Sequence, residues 1–501
     1  MEFSLQNLSA STQQSIPLLI LLLTGLVLMM LDSFKQRSSL PWVTAAGLAI
    51  SAIAAWVMGP DSSQITFFGM METGGIAPLV HVFICISGLC TIFFLNDYLS
   101  RQGRLIDDVY ALIVFSVLGM ILMANANDLI MVFIGLETMS MCLYIFAALF
   151  KTETRSNEAG LKYFLLGSFA SAFLLLGISI IYGVTGTTNL NVLATADNIN
   201  VLQSNQALFF TAGGLILIGF LFKVAAFPFH SWTPDVYTGT PTPLAGFMAT
   251  GSKLAAFVIL GVIIHKLELV SAPENGKFVT VLGLAALFTM IYGNIVAARQ
   301  QNMKRMLAYS SIAHTGYVLL GLCAATATDY IGFKAIIFYM FIYTLMNIGA
   351  FGMVGMAERQ FEDTDMENWR GLGKKAPYFA AALAVFLFSL AGIPPLAGFM
   401  GKYHVFITAI RADLVLLATV GILTSVIGAY YYIRVIVLMF FDSQDKSPEF
   451  NTNFSLVPVT GIVLLVALIV LFGIFPSLIL NPIDQAFSVS DLVSTAVSAH
   501  P

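Results

Sequence analysis

Fourteen stretches of mostly apolar residues, each long enough to cross a bilayer, follow one another along this chain with only short intervals between them. About 20 such residues make one spanning helix. The runs fall at residues 15–34, 40–59, 75–96, 107–124, 127–150, 159–184, 206–228, 243–265, 277–298, 306–324, 330–356, 377–410, 413–440 and 456–480. Only 10% of the 501 residues are charged, against about 25% in a soluble domain. Lipid leaves helices and closed barrels as the available spanning structures, and runs of this length select helices. The expected fold class is therefore an all-α polytopic membrane protein with 14 transmembrane helices.

Basic residues test that count. With alternating spans, one side receives Lys35, Arg37, Arg101, Arg104, Lys151, Arg155, Arg299, Lys304, Arg305, Arg359, Arg370, Lys374, Lys375 and Lys446. The other side receives Lys266, Lys277 and Arg411. Such an excess marks the cytoplasmic side, so both termini are expected on the outer (periplasmic or lumenal) side. The opening "MEFSLQNLSAST" lacks a basic region, and a cleaved secretory signal is not expected. Four cysteines lie inside apolar runs without metal-ligand spacing, and no phosphate loop or dinucleotide fingerprint occurs. No metal, bound cofactor or nucleic-acid partner is expected on this chain.

The remaining basic residues fall inside spans: Lys162, Lys223, Lys253, Lys334, Lys402 and Arg434. Lys162, Lys334 and Arg434 are near span ends, where a long side chain can snorkel. Lys223, Lys253 and Lys402 are deep, where a cation costs about 2.5–3.5 kcal/mol on insertion scales. Glu137, in "IGLETMSMCLY", is the one carboxylate deep in a span. One acid cannot neutralise three lysines, and a buried amine without a counter-ion is readily deprotonated. A line of amines that exchange protons is a proton path, and Glu137 could hold one of the lysines protonated when close and release its proton when the pair opens. His314, in "AYSSIAHTGY", is placed centrally enough to join that path. A purely structural ion pair is the bland alternative.

Prolines cluster beside these lysines: Pro228, Pro243, Pro394 and Pro395 are read as helix breaks. Breaks free backbone groups at mid-membrane and mark transport sites. The hexapeptide "PLAGFM" occurs at 243–248 and 395–400, each copy ahead of a lysine. The expectation is that proline and glycine loosen the helix before both Lys253 and Lys402.

Four stretches carry a family resemblance: "NEAGLKYFLLGSFASAFLLLGISIIYG", "FKVAAFPFHSWTPDVYTGTPTPLAGFMATGSK", "NMKRMLAYSSIAHTGY" and "AGIPPLAGFMGKYHVF". They resemble the antiporter-like membrane subunits of respiratory complex I, and within that group the N-type subunit (subunit 2 in organelle naming), over about residues 15–480. The resemblance implies two inverted five-helix repeats, helices 4–8 and 9–13, with helices 7 and 12 broken. It implies an N-terminal three-helix segment at 1–106, repeats at 107–265 and 266–440, and a C-terminal helix and tail at 441–501. A proton path through Glu137, Lys162, Lys223, Lys253, His314 and Lys402 is implied, coupled to quinone reduction in other subunits. NADH/FMN, iron–sulfur clusters and quinone would be held by those partners. The partners would be the M-type antiporter-like and K/J-type small subunits, in a bacterial inner membrane or an equivalent energy-transducing membrane. Lys402 stands where the M-type has glutamate, and only some 20 residues follow the last run, where the L-type has a long lateral helix. A cation/proton antiporter subunit of a multi-subunit Na+/H+ exchanger shares the fold and the lysines and stays open, as does a structural spacer.

Overall fold

The computed structural model describes residues 5–35, 37–60, 62–101, 106–271, 276–325, 331–361, 363–442 and 449–488. Arg104 and Lys446 of the basic count lie outside them. The first helices are α1 (Leu5–Ser33), α2 (Leu40–Met58), α3 (Ala77–Arg101), α4 (Val109–Ala124), α5 (Leu129–Ala147) and α6 (Thr154–Thr185). Two short helices follow, α7 (Leu190–Leu193) and α8 (Ala196–Ser204), then α9 (Gln206–Lys223), α10 (Trp232–Gly239) and α11 (Thr242–Ser271). The chain continues through α12 (Lys277–Ala298), α13 (Met303–Ala325), α14 (Ile331–Phe361), α15 (Leu372–Lys375), α16 (Pro377–Ala391) and α17 (Ala397–Arg411). It closes with α18 (Val415–Phe441), α19 (Leu456–Ile474) and α20 (Ser477–Ser488).

Twelve of these helices are long and apolar enough to cross a membrane, and α4 and α16 are shorter apolar helices. The molecule is thus a helical, polytopic integral membrane protein. α13 and α14 are enclosed along their whole apolar windows (100% buried), as α11 nearly is (94%), whereas α1 keeps only 28% of its window covered. The buried core is therefore the trio α11, α13 and α14, and α1, α2, α6, α18 and α19 wrap it.

The two rims differ. On one, strands β1 (Gln64–Thr66) and β2 (Met71–Thr73) form an antiparallel hairpin, an exception to the all-α expectation. Met71 bridges Ala126 and Asp128 bridges Asn189. The Asn127 and Asn189 amides both donate to the Gly69 carbonyl, at 2.9 and 2.8 Å. Three connections are thereby stitched together without basic residues. On the opposite rim, Arg37 pairs with Asp107 (2.6 Å), Arg305 with Asp235 (2.9 Å) and Arg370 with Asp442 (2.5 Å). Basic side chains gather there, as the alternating count requires.

The prolines divide into two kinds. α9 stops at Lys223, eight residues pass without helix, and α10 begins at Trp232, with Pro228 in the gap. α16 stops at Ala391 and α17 begins at Ala397, with Pro394 and Pro395 between them. Pro243, by contrast, is not a break. It is the second residue of α11, where its missing N–H would be unpaired in any case. The first "PLAGFM" copy therefore opens an unbroken helix, and only the second spans an interruption, so the copies have no common mechanical role. Within α11, Gly251 has a packing reason: an added Cβ would lie 2.6 Å from Ser87 Oγ on α3.

Candidate functional site

Lys223 is the last residue of α9, where the exposed carbonyls give a negative helix end that favours a cation. The helix ends in a left-handed residue, Ala225 at φ 61°, whose N–H donates back to the Phe222 carbonyl while that of Ala226 donates to the Leu221 carbonyl. Glycine is the usual residue there, so this alanine holds about 1–2 kcal/mol of strain. Lys223 is only 4% exposed, and its ammonium donates to Ser140 Oγ on α5 (2.8 Å) and Tyr163 OH on α6 (3.3 Å).

Lys253 is 2% exposed and sits mid-way along α11. It donates to the Ser311 carbonyl (3.0 Å), Ser311 Oγ (2.8 Å) and Thr315 Oγ1 (2.9 Å), all on α13. Thr315 in turn donates to the carbonyl of Val224, the residue after Lys223 (2.8 Å). One hydroxyl thus joins Lys253 to the first helix break.

His314 lies between Ser311 and Thr315 on α13 and is 3% exposed. Its Nδ1 meets Tyr339 OH of α14 and its Nε2 meets Tyr432 OH of α18 (3.3 Å). Its ring packs edge-on against Tyr317 at 5.7 Å, and the Lys402 ammonium stands 5.3 Å from that same Tyr317 ring. Lys402 donates to the Ala391 carbonyl (3.0 Å) and to Ser425 Oγ on α18 (3.0 Å). Ala391 ends α16, so Lys402 reaches back across the break to the negative end of the preceding half-helix.

Lys223, Lys253, His314 and Lys402 therefore lie in one buried row: Thr315 ties Lys253 to the carbonyl after Lys223, and Tyr317 packs between His314 and Lys402. Among the described residues none of the three lysines meets a carboxylate at ion-pair distance.

Glu137 differs from expectation. It is half-buried on α5, beside the exposed Ile134, Met141 and Ile145, and accepts a hydrogen bond from Ser171 of α6. It forms no ion pair with Lys223. A cavity of about 10 Å³ is lined by Lys223, Ser140 and Ser171, the last being the residue that donates to Glu137, and it has the room of one water molecule. Lys162 is not in the line either. It pairs with Glu158 (2.5 Å) and Asp235 (2.8 Å) near the basic rim and keeps 40% of its side chain exposed.

A family profile described as NADH:quinone oxidoreductase/Mrp antiporter, TM, matches residues 126–428. The NADH-quinone oxidoreductase subunit N of Trichlorobacter lovleyi is 40% identical over 476 residues, covering 94% of this chain and 96% of the relative. That of Salinibacter ruber is 41% identical over 429 residues, with 84% and 83% covered. The chain belongs to the NADH-quinone oxidoreductase subunit N family. A chain of respiratory complex I from Thermus thermophilus with bound aureothin has the same fold, with a TM-score of 0.77, 32% identity, and 93% and 98% of the two chains covered. The stretch that matches the family profile runs from the start of α5 into α18 and contains every deep lysine of the subunit N line.

Two phenols beside His314 and a buried amide one turn further along α14 escaped sequence reading. Tyr339, Tyr343 and Asn347 recur every fourth residue along α14, one face of an otherwise apolar helix. That spacing was the available signal. The Asn347 amide is fully buried with no hydrogen-bond partner among the described residues. Lys304 and Glu358 also went unmarked, since each lies near a span end. They pair at 3.1 Å, with Lys304 buried and Glu358 partly so.

Proposed function

We propose that this chain translocates protons as a membrane-arm subunit of an NADH:quinone oxidoreductase, driven by quinone reduction in its partners. The observation that carries this reading is the buried row of Lys223, Lys253, His314 and Lys402 beside the two helix breaks. Membership of the subunit N family supports it. Each lysine is held by neutral oxygens, so each can give up or accept a proton without breaking an ion pair. Hydroxyls and phenols between them can rotate to pass a proton on, and the bare Asn347 amide is a place where water would enter the line. Glu137, through Ser171 at the edge of the one-water cavity, would sense a neighbouring subunit and bias Lys223. Lys162 would act near the basic rim through Asp235.

The fold reading that goes with it is fourteen spans in two inverted repeats, helices 4–8 and 9–13. Twelve long apolar helices and the two shorter ones make that number. α9 starts from the hairpin rim and α16 from the basic rim beside Lys374 and Lys375, so the two broken helices run in opposite senses, which inversion requires. Close glycine contacts recur at equivalent places: Gly119 with Gly135 between α4 and α5, and Gly293 and Gly316 between α12 and α13. The basic rim would face the bacterial cytoplasm, both termini the outside. The neighbours would be the M-type and the K/J-type subunits. NADH, FMN, iron–sulfur clusters and quinone would belong to those and other partners.

The test is the triple replacement of Lys223, Lys253 and Lys402 by methionine in the assembled complex. Quinone reduction and proton release are then measured in sealed vesicles, with and without a sodium gradient. Loss of proton release with the complex intact is the expected result. Unchanged pumping would make the chain a spacer, and proton movement driven by sodium without quinone would make it an exchanger subunit.

A further inference from the structure

A lipid-facing groove of about 600 Å³ runs between α9 and α12, apart from the lysine line. One wall is Phe210, Gly214, Leu217, Ile218 and Leu221 of α9, and the other is Phe278, Val281, Leu284, Ala285 and Phe288 of α12. Each wall repeats with the spacing of a single helix face. The floor is Phe227, Pro228 and Phe229 of the first helix break. At the mouth stands Lys277, its ammonium 4.2 Å from the Phe210 ring centroid.

The dimensions and the charge identify the occupant. From Lys277 to Phe288 is eleven residues, about 16 Å of helix, which is one leaflet of a hydrocarbon core about 30 Å thick. The slot therefore begins at the interface and stops at mid-membrane, as one acyl chain does. Its mouth carries a cation on the rim where basic residues are scarce, at the positive end of α12. Gly214 supplies independent support. A methyl at Gly213 would strike Phe278 at 2.4 Å, but nothing lies within 4 Å of a Cβ built on Gly214. Glycine inside a helix costs about 0.8–1.0 kcal/mol relative to alanine, and no packing contact demands it here. What Gly214 keeps is the depth of the slot.

We propose that this groove binds one acyl chain of an anionic phospholipid from the leaflet of the basic-poor rim, with its headgroup phosphate on Lys277. The bound chain ends against Phe227–Phe229. Phe227 N–H is already tied to Thr289 Oγ1 of α12 at 2.9 Å, so the lipid completes the packing around the break that follows Lys223. The proposal stands whether or not the lysine line carries protons.

The test uses the full chain in its native complex, purified in mild detergent from membranes containing phosphatidylglycerol and phosphatidylcholine. Native mass spectrometry counts the lipids retained by wild type, Gly214→Ala, Gly214→Trp and Lys277→Gln. Wild type is expected to keep one phosphatidylglycerol, Gly214→Ala to keep it less fully as the methyl makes the slot shallower, and Gly214→Trp to lose it. Lys277→Gln is expected to lose the several-fold preference for phosphatidylglycerol over phosphatidylcholine. An equal lipid count in Gly214→Trp, or unchanged preference in Lys277→Gln, would overturn the assignment. Should Gly214→Trp fail to assemble, a photo-crosslinking residue at the exposed Val281 decides: a lipid adduct supports the site, and a polypeptide adduct means that a protein covers the groove.

Discussion

Lys253 makes three hydrogen bonds and all of them end on neutral oxygens of Ser311 and Thr315. Methionine has similar length and no charge, so Lys253→Met should fold while removing a protonation site from the middle of the line. A bare charge at mid-membrane costs about 2.5–3.5 kcal/mol or more, and each 1.4 kcal/mol of barrier is about tenfold in rate. Proton release by the assembled complex is expected to fall more than about tenfold, measured with a pH dye in sealed vesicles. Thr315→Val is the gentler test of the same junction. It keeps the shape but deletes the hydroxyl between Lys253 and the Val224 carbonyl, leaving a buried acceptor unpaired at about 1–3 kcal/mol. A modest drop in thermal stability should accompany a several-fold loss of pumping. Stability loss with pumping unchanged would show that Thr315 only holds the break in place.

The two breaks place their lysines differently in sequence and alike in space. Lys223 ends the half-helix before its gap, and Lys402 is the sixth residue of the half-helix after its gap. Because α9 and α16 run in opposite senses, both lysines sit on the half-helix nearer the hairpin rim. The second gap depends on Gly398: an added Cβ would lie 1.8 Å from the Ser389 carbonyl and 2.7 Å from Met346 Sδ. The Gly398 N–H also donates to Ser389 Oγ at 3.1 Å. Gly398→Ala must therefore shift α17 and its Lys402, at a cost of about 1–3 kcal/mol for overpacking. A lower melting temperature of the purified complex and reduced proton release are the expected readings, whereas unchanged melting would mean that the break is looser than its packing implies. Legibility in the sequence followed the same contrast. A lysine or a proline in an apolar run is conspicuous, so Lys223, Lys402, Pro228 and Pro394 announced themselves. α10, "WTPDVYTG", is too short and too polar to stand out from a loop, and its pairing with α9 across the gap is a tertiary event. Glu137 looked deep because depth along a span is visible in sequence, whereas the direction in which a side chain faces around the helix is not.

At the scale of the whole molecule, the Lys304–Glu358 pair joins regions that sequence order keeps far apart. Lys304, on α13, donates to Glu358 of α14 (3.1 Å) and to the Thr240 carbonyl between α10 and α11 (3.0 Å). Glu358 also accepts from Tyr98 of α3 (3.1 Å) and from Thr242 at the start of α11. Four helices, α3, α11, α13 and α14, thus meet at one carboxylate on the basic rim. The side chains are 4% and 19% exposed, so water does little to screen them. Removing one partner of a buried pair leaves an uncompensated charge and costs about 3–5 kcal/mol, whereas replacing both with apolar residues is often neutral. Glu358→Met alone should therefore lower the melting temperature and the yield of assembled complex. Lys304→Met combined with Glu358→Met should recover most of both. That recovery separates a structural clamp from a proton entry point: a clamp regains proton release together with stability. If the double variant is stable, assembled and still unable to pump, the pair itself lies on the proton's route from the basic rim to Lys253.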